Sequence, residues 1–352
     1  MSEIHTIMVE ADHGEYSYHF VPHAKPIIRG GKTPEESVAN MRTFVRGNYT
    51  TMLRRVTGDT LSSSDTARGY LTSLKGLGYL LYKAIPKKLT DAVDRDMKRG
   101  DFLHIYADEL ISIPWELVKN GGDFWGEMYV ISNSAADGEE RVDPDPLRLK
   151  IRKVLNVIGH GIPEDVASRA RQLFEDLHVQ LSVIDGTDNG TLAEFYEQLP
   201  TADLIHFTGH GAVGSNGPYL RIVEAEDESE NFMVAAIVPG SLQPGCIVFA
   251  NACQSSEKTA VLCELIGFGP KFCAGGASAF IGTLDRIHNG TAVQCAEKFY
   301  RQLFSGDEIG KALLAAKQVP FKGEDFISLA PLLYSLYGNP LVTVELPGPP
   351  GS

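Results

Sequence analysis

Cysteine is scarce in this 352-residue chain and comes in an odd number: Cys246, Cys253, Cys263, Cys273 and Cys295. No two stand in C-x-x-C spacing, which excludes a disulfide framework and a zinc site and leaves reduced thiols, one of which can be reactive. Positive charge is the second shortage. With 32 Lys and Arg against 45 Asp and Glu, the formal net charge is -13, a balance that argues against a direct grip on nucleic acid and for a peptide or small-molecule partner. Long apolar runs are absent as well. None approaches the ~20 residues of a membrane span, and the opening "MSEIHTIMVEADHGEYSYHF" lacks the charged-then-apolar layout of a signal peptide. A cytoplasmic location without membrane contact is expected. There is no internal repeat and no low-complexity tract, and the 43% hydrophobic content suffices for one full core or two.

The first part of the chain, residues 1–98, reads as a small α+β region. Alternating "IHTIMV" and "YSYHFV" flank a His-Gly turn, and "TPEESVANMRTFVR" opens with a capping signature in which Thr33 caps, Pro34 starts and Glu36 closes the box. A second helical pattern, "TARGYLTSLKGLGYLLYKAI", stops at Pro86, and "LTDAVDRDMKRG" is a short helix after it. Nothing catalytic stands out there, so a regulatory or accessory role is expected. From residue 99 the text changes to an apolar strand and short helix in "DFLHIYADELISIPWELVKNGG", a strand "EMYVIS" and a polar loop "ADGEERVDPDP".

Beyond residue 151 buried strands alternate with amphipathic helices: "KVLNVIG", "DVASRARQLFEDLH", "VQLSVI", "TLAEFYEQL", "DLIHFT", "CIVFAN", "ASAFIG", "TAVQCAEKFYRQLF" and "IGKALLAAKQ". That succession predicts an α/β domain with a largely parallel sheet, whose ligands meet the chain past the carboxyl ends of the strands. Two segments there carry chemistry.

In "HFTGHGAVGSNGPY", Gly209, Gly211 and Gly214 spell the G-x-G-x-x-G of dinucleotide sites. That fingerprint needs a helix to open at the glycines so that its amides face a pyrophosphate. Here Ser215, Asn216, Gly217 and Pro218 form a turn cluster, followed by strand-like "YLRIV" and the acidic run "EAEDESE". A hairpin is predicted, and no nucleotide or other cofactor is expected. The same segment places His210 after "DLIHFT", as Cys253 follows "CIVFAN", and the separation of 43 residues (253 − 210) leaves room for that hairpin between neighbouring strands. An imidazole beside a thiol suits proton exchange at neutral pH. The amides of Gly211 and Cys253 can supply two donors for an oxyanion. His206, alternating with Leu204, reads as an interior histidine bracing the loop. The cysteines other than Cys253 read as core.

The ordered set "HFTGHG", "FANACQSS", "GGASAFIGTL", "AEKFYRQLFSGDEIGKALLAAKQ" and "YSLYGNP", preceded by "ISIPWELVKNGGDFWGEMYVIS", resembles the CHAT peptidases, relatives of caspases and separases. The resemblance spans about residues 100–345 and implies a CHAT peptidase domain over 99–346 with a caspase-like three-layer sandwich fold. It also implies metal-free and cofactor-free hydrolysis of a peptide bond inside a protein partner, with Cys253 as nucleophile, His210 as base, and Gly211 and Cys253 as oxyanion donors. Family analogy adds an activating partner and a role in bacterial defence or programmed cell death. The alternative is a catalytically silent CHAT-like adaptor, against which the retention of both His210 and Cys253 argues.

Caspases carry Q-A-C-x-G, whereas this chain has Asn251 and Ser255 at the variable ends. The separase-like pattern, aligned on "TLDRIHNG", puts Asn289 where an acid would receive a basic P1 side chain. With Asn251 also neutral, an uncharged P1 residue such as Leu or Met is expected, because an unpaired buried cation is costly. A small shift in register would aim Asp285 into the pocket and restore a basic preference. His160, at the end of "KVLNVIG", is either a wall of this pocket or a turn residue.

Overall fold

The computed structural model describes residues 3–34, 64–107, 113–135, 144–186, 191–214, 217–224, 231–254, 268–283, 287, 289–318 and 332–347. The strands are β1 (Ile4–Asp12), β2 (Glu15–Val21), β3 (Ile28–Pro34), β4 (Phe102–Ala107), β5 (Val130–Ala135), β6 (Leu147–Lys150), β7 (Lys153–Ile158) and β8 (Gln180–Asp185). They continue with β9 (Leu204–Gly214), β10 (Gly217–Arg221), β11 (Phe232–Met233), β12 (Ile247–Gln254), β13 (Ala279–Thr283), β14 (Tyr334–Gly338) and β15 (Val342–Glu345). The helices are α1 (Ser64–Ala84), α2 (Lys87–Asp96), α3 (Trp125–Met128), α4 (Glu164–Gln172), α5 (Leu192–Gln198), α6 (Phe268–Ala274), α7 (Asn289–Phe304) and α8 (Ile309–Lys317).

Among the described residues thirteen strands form one sheet, ordered β11-β10-β9-β12-β13-β14-β5-β4-β1-β2-β3, with β7 paired to β9 and β8 to β7. The centre is parallel: β8, β7, β9, β12 and β13 run together. Their near-continuous apolar text follows from burial on both faces. One face presents Leu155, Val157, Ile205, Phe207, Val248 and Ala250 to a core completed by Phe195 of α5 and Phe268 and Phe272 of α6. On the other, Val154, Leu204, Ile247, Phe249 and Ile281 share a core with Phe299 and Tyr300 of α7. Helices on both faces of a largely parallel sheet make the three-layer sandwich.

The N-terminal strands extend the same sheet, because β1 pairs in parallel with β4, Thr6 opposite His104. β5 then joins β14 through the register of Asn133 and Tyr337, and the Asn133 amide donates to Ser335 Oγ at 3.0 Å and Leu336 O at 3.2 Å. Thr33, expected as a helix cap, lies in β3 opposite Tyr16; the helix expected after it falls outside the described residues. The short helix expected before Gly121 is a single 3-10 turn at Trp115–Leu117. Trp115 stacks on Trp125 there, ring centroids 6.2 Å apart.

Candidate active site

β9 changes partners along its length. Its first half, Leu204 to Thr208, pairs with β7. From His210 to Gly214 it pairs instead with β10 in an antiparallel hairpin, Gly214 opposite Gly217. The glycines of the fingerprint therefore lie in a strand that turns into a hairpin, with no helix at the glycines among the described residues. On its other edge β9 pairs with β12 from Leu204 to Gly211, and the last rungs set Asn251 opposite Thr208, Cys253 opposite His210 and Gln254 opposite Gly211. The sequence pattern expected His210 and Cys253 in loops past the strand ends. They lie instead within the strands, whose pairing outlasts the apolar run because β10 supplies a fresh partner.

Registered residues of adjacent strands share a face of the pleat, so His206, Thr208 and His210 line up beside Phe249, Asn251 and Cys253. The polar members beneath the top rung are each held. His206 is 0% exposed, with Nδ1 2.9 Å from Tyr300 Oη and Nε2 2.9 Å from Thr208 Oγ1. Burial pushes its pKa down to about 3, so the ring is neutral and braces Thr208 two residues below His210. Asn251 is 4% exposed; its Nδ2 donates to Ala292 O at 3.2 Å and its Oδ1 accepts from Tyr334 Oη. Thr283 Oγ1 donates to Ala252 O at 3.0 Å. Because a trans peptide sets C=O and N–H opposite one another, this bond turns the Cys253 N–H away from β13, toward the β9 side. Gly211 sits inside the ladder, its α-carbon so placed that a Cβ would stand 3.2 Å from Ala252 Cβ.

The loop after β7 closes over His210. A Cβ on Gly161 would stand 3.7 Å from His210 Nε2, so the imidazole lies against the backbone next to His160. The His160 N–H donates to Ile222 O at 2.9 Å, and its Nδ1 is 3.2 Å from Gly186 O. Glycine is required where these backbones meet: a Cβ on Gly186 would fall 1.7 Å from Ile222 O, and one on Gly159 2.4 Å from Arg221 O. Arg171 of α4 anchors the neighbouring Asp185, Nη2 to Oδ2 at 2.6 Å.

The structure thus brings His160, His210, Asn251 and the backbones of Gly211 and Cys253 to one end of the parallel strands. Asn289 is the first residue of α7, whose Ala292 carbonyl meets Asn251. Asp285 lies outside the described residues, as does Cys263. Cys246, Cys273 and Cys295 have thiols pushed up to about 12, chiefly by burial, which leaves them unreactive near neutrality. Among the described residues no group of three or more His, Cys, Asp or Glu side chains is arranged to hold a metal, and no helix is long and apolar enough to cross a membrane. Sequence reasoning missed Thr208, Tyr300 and Tyr334, which brace the site from below, and Arg221, which faces His210 across the hairpin. Only Arg221 left a signal: it stands as far past the turn as His210 stands before it.

Together the three-layer sandwich and the paired ends of β9 and β12 define a caspase-like α/β protein. A model of the CHAT domain matches residues 75–326, and the chain belongs to the CHAT domain family. Its fold is similar to that of Saccharomyces cerevisiae separase in two separase–securin complexes. The TM-scores are 0.54 and 0.53 at 9% and 10% sequence identity. Each match covers 97% of this chain but 30% of the separase chain. Gingipain R, an arginine-specific cysteine proteinase, aligns at TM-score 0.44 and 10% identity over 86% of this chain and 77% of its own. No curated protein matches.

Proposed function

We propose that this protein is a cysteine endopeptidase that makes limited cuts in a protein partner, with Cys253 as nucleophile and His210 as general base. The observation that carries this reading is the register of Cys253 with His210 on adjacent parallel strands, which puts their α-carbons roughly 4.8 Å apart. In the proposed reaction His210 takes the thiol proton as sulfur attacks the scissile carbonyl, then delivers it to the leaving nitrogen as the C–N bond breaks. Water next hydrolyses the thioester, releasing the new carboxyl terminus and restoring the thiol. The oxyanion donors in this reading are the amides of Gly211 and Cys253.

The P1 pocket lies over Thr208 and Asn251, walled by His160 and the start of α7 at Asn289. Its described floor is neutral, which supports cleavage after an uncharged residue such as Leu or Met. Asp285 would reverse that preference if it entered the pocket. The separase matches are complexes with securin, and by analogy we propose an activating or restraining partner here, with residues 1–98 as the accessory region and residues 99–346 as the peptidase domain. The CHAT resemblance extends the proposal to a cytoplasmic role in bacterial defence or cell death, cutting a pore-former or another effector.

The test is to map new N-termini in proteins encoded beside this gene after incubation with the wild-type chain and with Cys253→Ala. Cuts made only by the wild type, after uncharged residues, support the reading. Identical cuts by both forms contradict the peptidase assignment, and a profile dominated by Arg or Lys contradicts the pocket.

A further inference from the structure

Cys253, His210 and Arg221 occupy one rung across three strands, because His210 is registered both with Cys253 of β12 and with Arg221 of β10. Registered positions share a face of the sheet. The opposite face at this level holds Ala252 and Leu220, both buried in the other core, which leaves Arg221 on the His210 side. The position that carries a permanent cation is therefore the neighbour of His210 on the strand away from Cys253.

Its backbone is seated with care. A Cβ on Gly159 would fall 2.4 Å from Arg221 O. The next carbonyl, Ile222 O, accepts from the His160 amide and fills the space over Gly186. Three glycine or turn positions from two other strand ends thus fix the residue that follows His210 across the sheet. The guanidinium, by contrast, is left unused. Arg221 makes no ion pair among the described residues, and its Nε is buried without a hydrogen-bond partner. Arg221 is half-buried; a guanidinium nitrogen buried without a partner is unfavourable, and a guanidinium is suited to a carboxylate arriving from outside.

Resting on the peptidase reading, we infer that Arg221 is a specificity-determining residue that selects substrates with Asp or Glu within the first three residues after the scissile bond. The side of the cut follows from the chemistry. The base that returns the proton to the leaving nitrogen must face the leaving half of the substrate, so a residue beyond His210 meets that half. The span agrees. Two strand spacings carry the rung about 10 Å from Cys253 to Arg221, and an extended peptide advances about 3.4 Å per residue. This selection lies on the opposite side of the cut from the neutral P1 pocket and leaves that preference untouched.

The test is a proteome-derived peptide library digested by the wild type, Arg221→Gln, Arg221→Lys, Arg221→Glu and Cys253→Ala, with cut sites sequenced on both sides and thermal melts confirming that each variant folds. The wild type should favour peptides with an acid in those three positions by about tenfold over matched neutral ones, as a charge-assisted contact gives. Arg221→Gln should bring the ratio to about unity, Arg221→Lys should retain part of it, and Arg221→Glu should shift it toward Lys and Arg, an inversion that a merely structural role would not produce. A Cys253-dependent cleavage profile that is flat after the cut, or unchanged in Arg221→Gln, overturns this inference alone. No cleavage by the wild type, or equal cleavage by Cys253→Ala, overturns the peptidase reading beneath it.

Discussion

Cys253 stands opposite His210 in the parallel ladder of β9 and β12, and the residue before it, Ala252, is buried on the other face of the sheet. Strand periodicity makes that one-residue difference decisive, since a single step along the chain moves a side chain through the sheet. The double substitution Ala252→Cys/Cys253→Ala keeps a thiol within one residue of its native place. It should be inactive in any cleavage assay in which the wild type is active, while a thermal melt shows a folded protein. Retained activity would mean that the register does not select the nucleophile.

Backbone contact at the site predicts a graded response to alanine. Gly186→Ala would drive a Cβ to 1.7 Å from Ile222 O, displacing the strand end that carries Arg221 and His160's partner. A loss of at least ~1–3 kcal/mol is expected from such overpacking. Gly76, mid-way along α1, has nothing within 4 Å of the added carbon. Gly76→Ala should therefore stabilise by ~0.5–1 kcal/mol through helix propensity. Chemical denaturation of the two variants checks the pair, and the opposite ranking would contradict this packing.

His206 predicts a specific acid sensitivity. Its pKa is pushed down to about 3 by burial, among Phe174, Phe249 and Tyr300, whereas in the unfolded chain it returns to about 6.5. The unfolded state then binds the extra proton, so the stability His206 confers is complete above about pH 6.5 and is lost progressively as the pH falls toward 3. His206→Gln removes that titration. Between about pH 6 and 4 the wild type should lose ~1.4 kcal/mol per pH unit more than the variant. Parallel stability curves over that range would show that the ring is already charged when folded.

Much of this was legible in the sequence because the parallel core writes itself as apolar runs, and because a hairpin between "HFTGHG" and "FANACQ" implies neighbouring strands. The α/β class with its largely parallel sheet and the approach of His210 to Cys253 followed from those two facts, and the caspase-like sandwich from the family resemblance. The hand-over of β9 from β7 to β10 did not, since a glycine-rich strand end and a loop have the same composition. The braces beneath the site were equally hidden. Tyr300 and Tyr334 lie 94 and 83 residues from their partners His206 and Asn251, and no local pattern records such a contact. Thr33 misled for a simpler reason: a Thr-Pro pair serves a strand end as well as a helix start.

The most direct measurement is the alkylation rate of Cys253, followed site by site with mass spectrometry from pH 5 to 9 in the wild type and His210→Ala. It needs no substrate, and Cys246, Cys273 and Cys295, with thiols near 12, serve as slow internal references. If His210 draws the proton from Cys253, the wild-type residue reacts rapidly at pH 6–7, and His210→Ala slows it at least about tenfold there while shifting its profile to the ordinary thiol range near 8.5. Equal rates and the same pH profile in the two proteins would contradict the dyad.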